Sequence, residues 1–204
     1  MKIKLTKGEL KRQRDALKQY QRYLPTLQLK KQQLQMEIVN QKRALDDKKQ
    51  KWHQQKTLIE VWAGLLSDKS VDLKNWVRPA KTITSPKNIA GVDLAVFERV
   101  EFNPAEYDLF LMPLWVDRAI EELQKLASLR EEISILEKGM SILRHELRIT
   151  TQRVNLFEKV KIPEAMDAIR LIKIYLGDQM TNAVGRSKIA KKKIEAAELE
   201  EVAV

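Results

Sequence analysis

Few residues of this chain have the type and spacing that catalysis or metal binding requires. The two histidines, His53 and His145, lie far apart, and neither has a second histidine four residues away, as a zinc site on one helix would need. The acidic pairs Asp46–Asp47 and Glu131–Glu132 are adjacent residues, which point to different faces of a helix. We therefore interpret these groups as exposed surface and not as ligands or catalytic residues.

Other kinds of reactive site are missing from the sequence as well. The six glycines are scattered singly, so there is no glycine-rich loop for binding a phosphate group. Cysteine is absent, which excludes disulfides and thiolate metal sites. No set of residues suggests nucleophilic or acid–base catalysis. The sequence thus predicts a protein that is not an enzyme and that uses no cofactor and no metal.

The composition favours long helices over a sheet protein. Charged residues make up 32% of the 204 residues, and glycine and proline are few, at six each. No run of about 18 apolar residues could cross a membrane, and no apolar segment follows the basic N-terminus as in a secretory signal. The sequence therefore predicts long helices and no membrane-spanning segment.

An apolar repeat of seven residues runs through residues 7–66. Its main row has one polar member, Lys31, and a second row is weaker because it includes Gln13, Gln41, Lys48 and Gln55. A strict seven-residue repeat keeps one seam of a helix facing a partner helix. Pro25 interrupts the segment without shifting the repeat, and it predicts a kink or a late helix start. The main row consists of Leu10, Leu17, Leu24, Lys31, Ile38, Leu45, Trp52, Ile59 and Leu66.

A second seam of similar length follows Pro113. Residues 114–162 contain no proline, and after Pro163 the apolar spacing resumes in phase, which favours a kinked continuation of the helix to about Ala190. The two seams predict an antiparallel pair of helices within the chain. The second seam consists of Ala119, Leu126, Ile133, Met140, Leu147 and Val154, flanked by Leu129, Leu136, Leu143 and Phe157.

The region between the arms has a different pattern. It holds four of the six prolines, and the segments 77–85 and 92–102 are rich in β-branched or alternating apolar residues, which predicts a hairpin with its turn near residues 86–88. The predicted fold class is therefore all-α dominated, a long antiparallel two-helix left-handed coiled coil with a small middle region containing a β-hairpin. The predicted division is 1–66 for the N-terminal arm, 67–113 for the middle region and 114–204 for the C-terminal arm of a single elongated structural unit.

The net charge of +10 is concentrated toward both ends of the chain. Residues 1–66 contain 16 Lys/Arg against 6 Asp/Glu, and residues 147–194 contain 11 against 4. In an antiparallel pair the two basic segments lie at the same end, which predicts an anionic partner there, unless the charges are only a solvated helix face. Three function classes remain open: a mechanical or scaffolding rod, a nucleic-acid-binding coiled coil and a membrane-surface module.

A short motif late in the chain resembles a known family. Arg153-Val154-Asn155, Glu158 and Ile162-Pro163 are similar to the late-helix motif of the D subunit of V-type (A/V-type) ATPases or ATP synthases, which is the axle of the central stalk. Gln152 stands where that family often has a second arginine. The segment 88–92 is similar to the family's turn before its second strand, and the basic residues from Arg186 to Lys193 resemble its lysine-rich terminal helix.

The resemblance implies a non-catalytic rotor component that couples ATP hydrolysis or synthesis to rotation and to proton or sodium translocation. It implies contact with a ring of catalytic and non-catalytic (A and B type) subunits, with the small stalk subunit of F type and with the connector to the membrane ring. The implied position is cytoplasmic and peripheral to the membrane, as part of the complex, without nucleic acid. A basic coiled-coil scaffold or nucleic-acid-binding protein is the alternative. The expected partner-contact residues are Arg12, Arg14, Arg153, Asn155, Glu158, Pro163, Arg186, Lys188, Lys191, Lys192 and Lys193.

Overall fold

A computed structural model describes residues 4–67, 73–108 and 112–202. By its internal packing the chain divides into two compact units. Unit 1 consists of Met1–Gln28 and Thr151–Val204, and unit 2 of Leu29–Thr150. The elements in chain order are α1 (Lys7–Glu60), a 3-10 turn (Ala63–Ser67), α2 (Lys74–Val77), β1 (Pro79–Ile89), β2 (Val92–Phe102), α3 (Val116–Leu156), a π-helical segment (Phe157–Lys161) and α4 (Ile162–Val202).

Helix α1 begins at a side-chain cap and continues through its internal proline. The backbone N–H of Glu9 donates to Oγ1 of Thr6 at 3.2 Å, which satisfies one of the unpaired N–H groups of the first turn. Pro25 lies inside the helix and is not a helix start. Beside it, the hydroxyl of Thr26 donates to the carbonyl of Tyr23 at 2.8 Å. The predicted alternative of a late helix start is therefore wrong.

The seven-residue rows predicted for the two arms face inward. Every member of both α1 rows from Leu10 to Leu66 is buried or half-buried, including the polar members Gln41 and Lys48. The rows of the second arm behave in the same way, and Leu143 is fully buried. This burial confirms the predicted helix pair. A seven-residue repeat places the members of each row on one face of a helix, and this face is covered in both arms.

In unit 2, ion pairs between the helices define an antiparallel arrangement. Lys30 of α1 contacts Glu146 of α3 at 2.9 Å, and Lys48 contacts Glu132 at 2.8 Å. Farther along α1, the amide of Gln55 donates to the carboxylate of Glu122. Partner numbers on α3 thus fall as those on α1 rise, which confirms the antiparallel pairing.

The two strands of the middle region form an antiparallel hairpin with a two-residue turn. Strand β2 has the predicted bounds, but β1 begins at Pro79 and continues to Ile89, so the turn predicted at residues 86–88 is wrong. The chain reverses at Ala90 and Gly91, whose φ values of 51° and 76° are those of a type I′ turn. The side-chain oxygen of Asn88 accepts the N–H of Gly91 at 3.1 Å, which stabilises this turn in place of the expected one.

The tip of the hairpin packs on both long helices of unit 2. Leu94 is 2% exposed, and it shares a core with residues of α1 and α3. Burial of these apolar side chains positions the hairpin, because a two-stranded hairpin alone is marginally stable in water. The cluster consists of Leu34, Val92, Leu94 and Leu143, with Ile38, Ile89, Ala90 and Leu147 packed against it.

In unit 1, helical structure continues through Pro163, and a short π-helical segment, in which the helix is wider, precedes this proline. The N–H of Ile162 bonds to the carbonyl of Phe157, five residues back, and Pro163 follows directly within α4. In a regular α-helix the proline ring would crowd the carbonyl four residues back, and a π-helical turn gives that carbonyl more room. The predicted continuation beyond Pro163 is confirmed, and α4 extends to Val202, past the expected Ala190.

Candidate partner-contact surface

All eleven residues that the sequence singled out for partner contact belong to unit 1. Two come from the start of α1 and nine from the segment that begins at Thr151. Each of the eleven is exposed. The fold thus brings residues 1–28 of the first basic segment and residues 151–194 of the second into one compact unit. This unit contains 18 Lys/Arg against 10 Asp/Glu, whereas unit 2 contains 20 against 18.

The motif at residues 153–158 divides into an inner and an outer set of side chains. Val154 is 3% exposed, and the ring of Phe157 contacts the ring of Tyr20 with centroids 5.3 Å apart. Arg153, Asn155 and Glu158 are exposed. The apolar members therefore hold the helix against α1, and the polar members are free to contact another molecule.

Arg12 lies in an open cleft between α1 and α4. The cleft has a volume of about 670 Å³, and Lys161, Glu164 and Asp167 of the second segment line it. Lys161 contacts Glu164 at 3.6 Å. Arg12 is therefore placed among charged residues of the π-helical segment and of α4, while Arg14 does not line this cleft.

The distal part of α4, residues 177–196, is exposed at every side chain. It carries the remaining basic candidates, Arg186, Lys188 and Lys191–Lys193, of which Lys191 contacts Glu195 at 3.5 Å. A helix of 20 residues is about 30 Å long. In an isolated chain a single helix of this length gains little stability from packing.

Sequence reasoning missed the apolar residues of this distal segment. Met180, Val184, Ile189 and Ile194 are each 57–61% exposed. The signal was present, because the apolar spacing that ends at Leu176 can be followed for several more turns. The surface therefore combines cations with large apolar side chains, as expected of a helix that a protein partner covers.

Metal-ligating side chains do not form a cluster in the described part of the chain. There, no three His, Cys, Asp or Glu residues are grouped closely enough to hold a metal ion. His53 lies edge-on to Trp52 at a centroid distance of 5.1 Å and, like His145, is exposed. Within the same described ranges, no helix is both long and apolar enough to span a membrane.

Among the described residues of unit 2, two pKa shifts are found, and both have a structural cause. The hydroxyl of Tyr107 donates to the carboxylate of Asp117, and this hydrogen bond, with some burial, raises the pKa of Tyr107. The pKa of Glu122 is lowered, mainly by its hydrogen bond with Lys125 and also by that from Gln55, against an opposing effect of burial. Both groups connect segments of the fold, and neither lies among the partner-contact residues.

Comparison with known proteins gives one consistent result. Residues 9–192 match the family model for the D subunit of ATP synthase. The V-type ATP synthase D subunit of Borreliella burgdorferi is 47% identical over 190 residues, covering 93% of this chain and 94% of the relative. The protein of the same name from Chlamydia pneumoniae is 32% identical over 203 residues, covering 96% and 94%, and that of Chlamydia caviae is 33% identical over 195 residues, covering 95% and 94%.

Proposed function

Since the chain belongs to the family of ATP synthase D subunits, we propose that it is the non-catalytic rotor axle in the central stalk of a V-type ATPase. It works with other subunits of that complex. In this role it couples ATP hydrolysis or synthesis in the catalytic ring to rotation, and rotation to translocation of protons or sodium. Its predicted division into two arms, residues 1–66 and 114–204, around the middle region 67–113 belongs to the same proposal.

The exposed distal part of α4 is the observation that supports this role best. Its cations and its apolar side chains Met180, Val184, Ile189 and Ile194 all lack cover in the isolated chain. We assign this segment, with Arg12 and Arg14 of the same unit, to the inside of the ring of A-type and B-type subunits. Apolar contact would supply affinity there, and the basic residues would face acidic groups of the ring.

We assign the remaining proposed partner contacts, those outside the ring, to unit 2. The hairpin and the helices around it are the proposed docking region for the F-type stalk subunit and for the connector to the membrane ring. The axle needs no reactive group for its work, because a shaft transmits torque through packing. The complex holds it at the cytoplasmic side, peripheral to the membrane.

Reconstitution of the ring around variant axles tests the proposal. The variant combines Lys191→Glu, Lys192→Glu and Lys193→Glu, and the matched control carries Lys42→Glu, Arg43→Glu and Lys138→Glu, which are exposed residues of unit 2 with the same charge change. We expect the distal variant to bind the ring at least about tenfold more weakly and the control to bind within about twofold of the parent. Equal binding of all three chains, or retention of the same salt dependence in the distal variant, would contradict the assigned surface.

The alternative of a basic scaffold or nucleic-acid-binding protein has no support from the comparisons. It makes a different prediction, because phosphate contacts give tight binding that weakens steeply with salt. Copurification with ring and stalk subunits, together with weak binding of duplex DNA by the isolated chain, agrees with the rotor. Salt-sensitive duplex binding without copurification would identify the alternative.

A further inference from the structure

The helix pair of unit 2 has one face covered by the hairpin and an open cleft on another. On the hairpin side, Glu146 pairs with Lys30, whose Nζ lies 4.0 Å from the position that a Cβ would occupy on Gly91 of the hairpin turn. Arg144 precedes Glu146 by two residues, and two residues of a helix turn through about 200°, so Arg144 points to the opposite side of α3. The hairpin therefore leaves the side of Arg144 uncovered.

On that open side, α1 and α3 border a cleft of about 570 Å³. Leu45 and Met140, each 6% exposed, form its apolar floor. Lys49, Arg144, His145 and Arg148 surround the floor, together with Ser141 and a single carboxylate, Glu137. The cleft is thus apolar at its base and basic around its rim.

The arginines of this rim differ from the three lysines that join α1 to α3 by ion pairs. Lys30, Lys48 and Lys49 each contact a glutamate of α3, and Glu137 is already used by Lys49 at 2.7 Å. Among the described residues, Arg144 and Arg148 have no acidic partner. They are one helical turn apart, where like charges repel and destabilise an isolated helix. A carboxylate placed between them would remove this repulsion.

The exposure of the rim indicates what kind of ligand fits. Arg144, His145 and Arg148 are exposed, so water would compete effectively with a small free anion. A ligand that brings its own apolar surface would displace this water and strengthen the charge contacts. The geometry points to an acidic, amphipathic segment of a partner protein that lies along the cleft, covers Leu45 and Met140, and pairs its carboxylates with Arg144 and Arg148. This surface is argued independently of the ring contacts assigned to unit 1.

A designed peptide of this chemistry tests the docking site. The probe is a fluorescent helix-forming peptide of about 20 residues, a length at which an isolated helix is sufficiently stable, with leucines on one face and glutamates on both flanks. We expect it to bind the full chain and to bind the variant Arg144→Glu/Arg148→Glu at least about tenfold more weakly. The matched control, Arg43→Glu/Lys138→Glu, changes the charge equally on exposed residues outside the cleft and should bind within about twofold of the parent.

The same titration also tests whether net charge alone, or nucleic acid, accounts for binding at the cleft. Replacing the glutamates of the probe by glutamine should abolish binding, and thermal unfolding of both variants should match that of the parent chain. Equal weakening by both variants would overturn the proposal, because it would show attraction to net charge alone. A duplex DNA that loses binding through Arg144→Glu/Arg148→Glu, while the acidic peptide does not, would also overturn it and assign the cleft to nucleic acid.

In the assembled complex the site can be probed through one thiol. The chain has no cysteine, so Ser141→Cys introduces a single attachment point for a photo-crosslinker at the rim of the cleft. We expect a crosslink to an acidic segment of another protein of the complex, which Arg144→Glu/Arg148→Glu removes. A crosslink to a segment without acidic residues, or one that survives the charge reversal, would contradict the proposed chemistry.

Discussion

The side-chain oxygen of Gln41 lies against Gly139, so close that a Cβ on residue 139 would come within 3.3 Å of it. Glycine inside a long helix costs about 1 kcal/mol relative to alanine, and here it leaves room for a polar side chain in the seam. Among the described residues this oxygen is buried without a hydrogen-bond partner. The seam of unit 2 therefore contains a layer that is weaker than its apolar neighbours.

Replacing the polar residue of this layer should stabilise the chain. We expect Gln41→Leu to raise the free energy of unfolding by about 1–2 kcal/mol, because it removes an unsatisfied buried acceptor and adds apolar contact beside Gly139. Urea denaturation followed by circular dichroism measures the change. Gln33→Leu, at an exposed position of the same helix, is the control and should stay within about 0.5 kcal/mol. A Gln41→Leu chain less stable than the parent would show that this layer is not a weak point.

Tyr107 should contribute a pH-dependent increment to stability in alkaline solution. Its hydrogen bond to Asp117 raises its pKa, so the folded chain retains this proton more strongly than the unfolded chain. The resulting stability is complete below the ordinary tyrosine pKa of about 10 and is lost as pH rises through the raised pKa. We expect the difference in unfolding free energy between the parent and Tyr107→Phe to be constant from pH 7 to about 9 and to shrink above about 10. A difference that stays constant up to pH 11 would contradict this role.

The two helix-internal prolines should respond differently to replacement. Pro25 lies within regular α-helix, whereas the π-helical turn Phe157–Lys161 precedes Pro163 and already relieves its crowding. We expect Pro25→Ala to stabilise the chain by about 2 kcal/mol and Pro163→Ala by about 1 kcal/mol or less, since the added backbone freedom of the unfolded chain offsets part of each gain. Thermal and urea unfolding give the ranking. A larger gain at Pro163 would mean that the π-helical turn itself is strained.

Truncation should separate folding from ring binding. A chain that ends at Gly177 loses side chains that are exposed throughout residues 178–196, so its unfolding free energy should change by less than about 0.5 kcal/mol. The same truncation removes Met180, Val184, Ile189 and the terminal lysines, and we expect binding to the ring to be lost. Unfolding by urea and sedimentation of reconstituted complexes measure the two effects. A truncated chain that still binds the ring like the parent would refute the role assigned to distal α4.

The long helices were predictable from the sequence because their signal is periodic and local. Both rows of α1 are inward-facing, even at Gln41 and Lys48, since the repeat of the apolar members fixes the face on which the polar ones lie. The basic residues among those expected to contact partners could be recognised from their charge, whereas Asn155, Glu158 and Pro163 came from the motif that resembles the D subunits. Their assembly in unit 1 followed from the antiparallel pairing.

Features decided by nonlocal packing or by single dihedral angles were not predictable. The sequence predicts the turn at residues 86–88 because Pro86, Lys87 and Asn88 are typical turn residues, but Pro86 pairs with Ala95 within the hairpin and the chain reverses at Ala90–Gly91. Alanine at positive φ is uncommon, so no turn rule favours it. The π-helical turn before Pro163 and the open cleft beside Arg144 likewise depend on how neighbouring helices pack, which the order of residues does not reveal.

The hairpin tip has a consequence for how the helix pair of unit 2 carries load. Leu34 belongs to α1 and Leu143 to α3, and both are 0% exposed beneath Val92 and Leu94. If one helix slid along the other, even by the rise of a single residue, about 1.5 Å, the two leucines would separate and shear the small core above them. The hairpin therefore couples the two helices mechanically, so that an axial force on one of them is transmitted to the other.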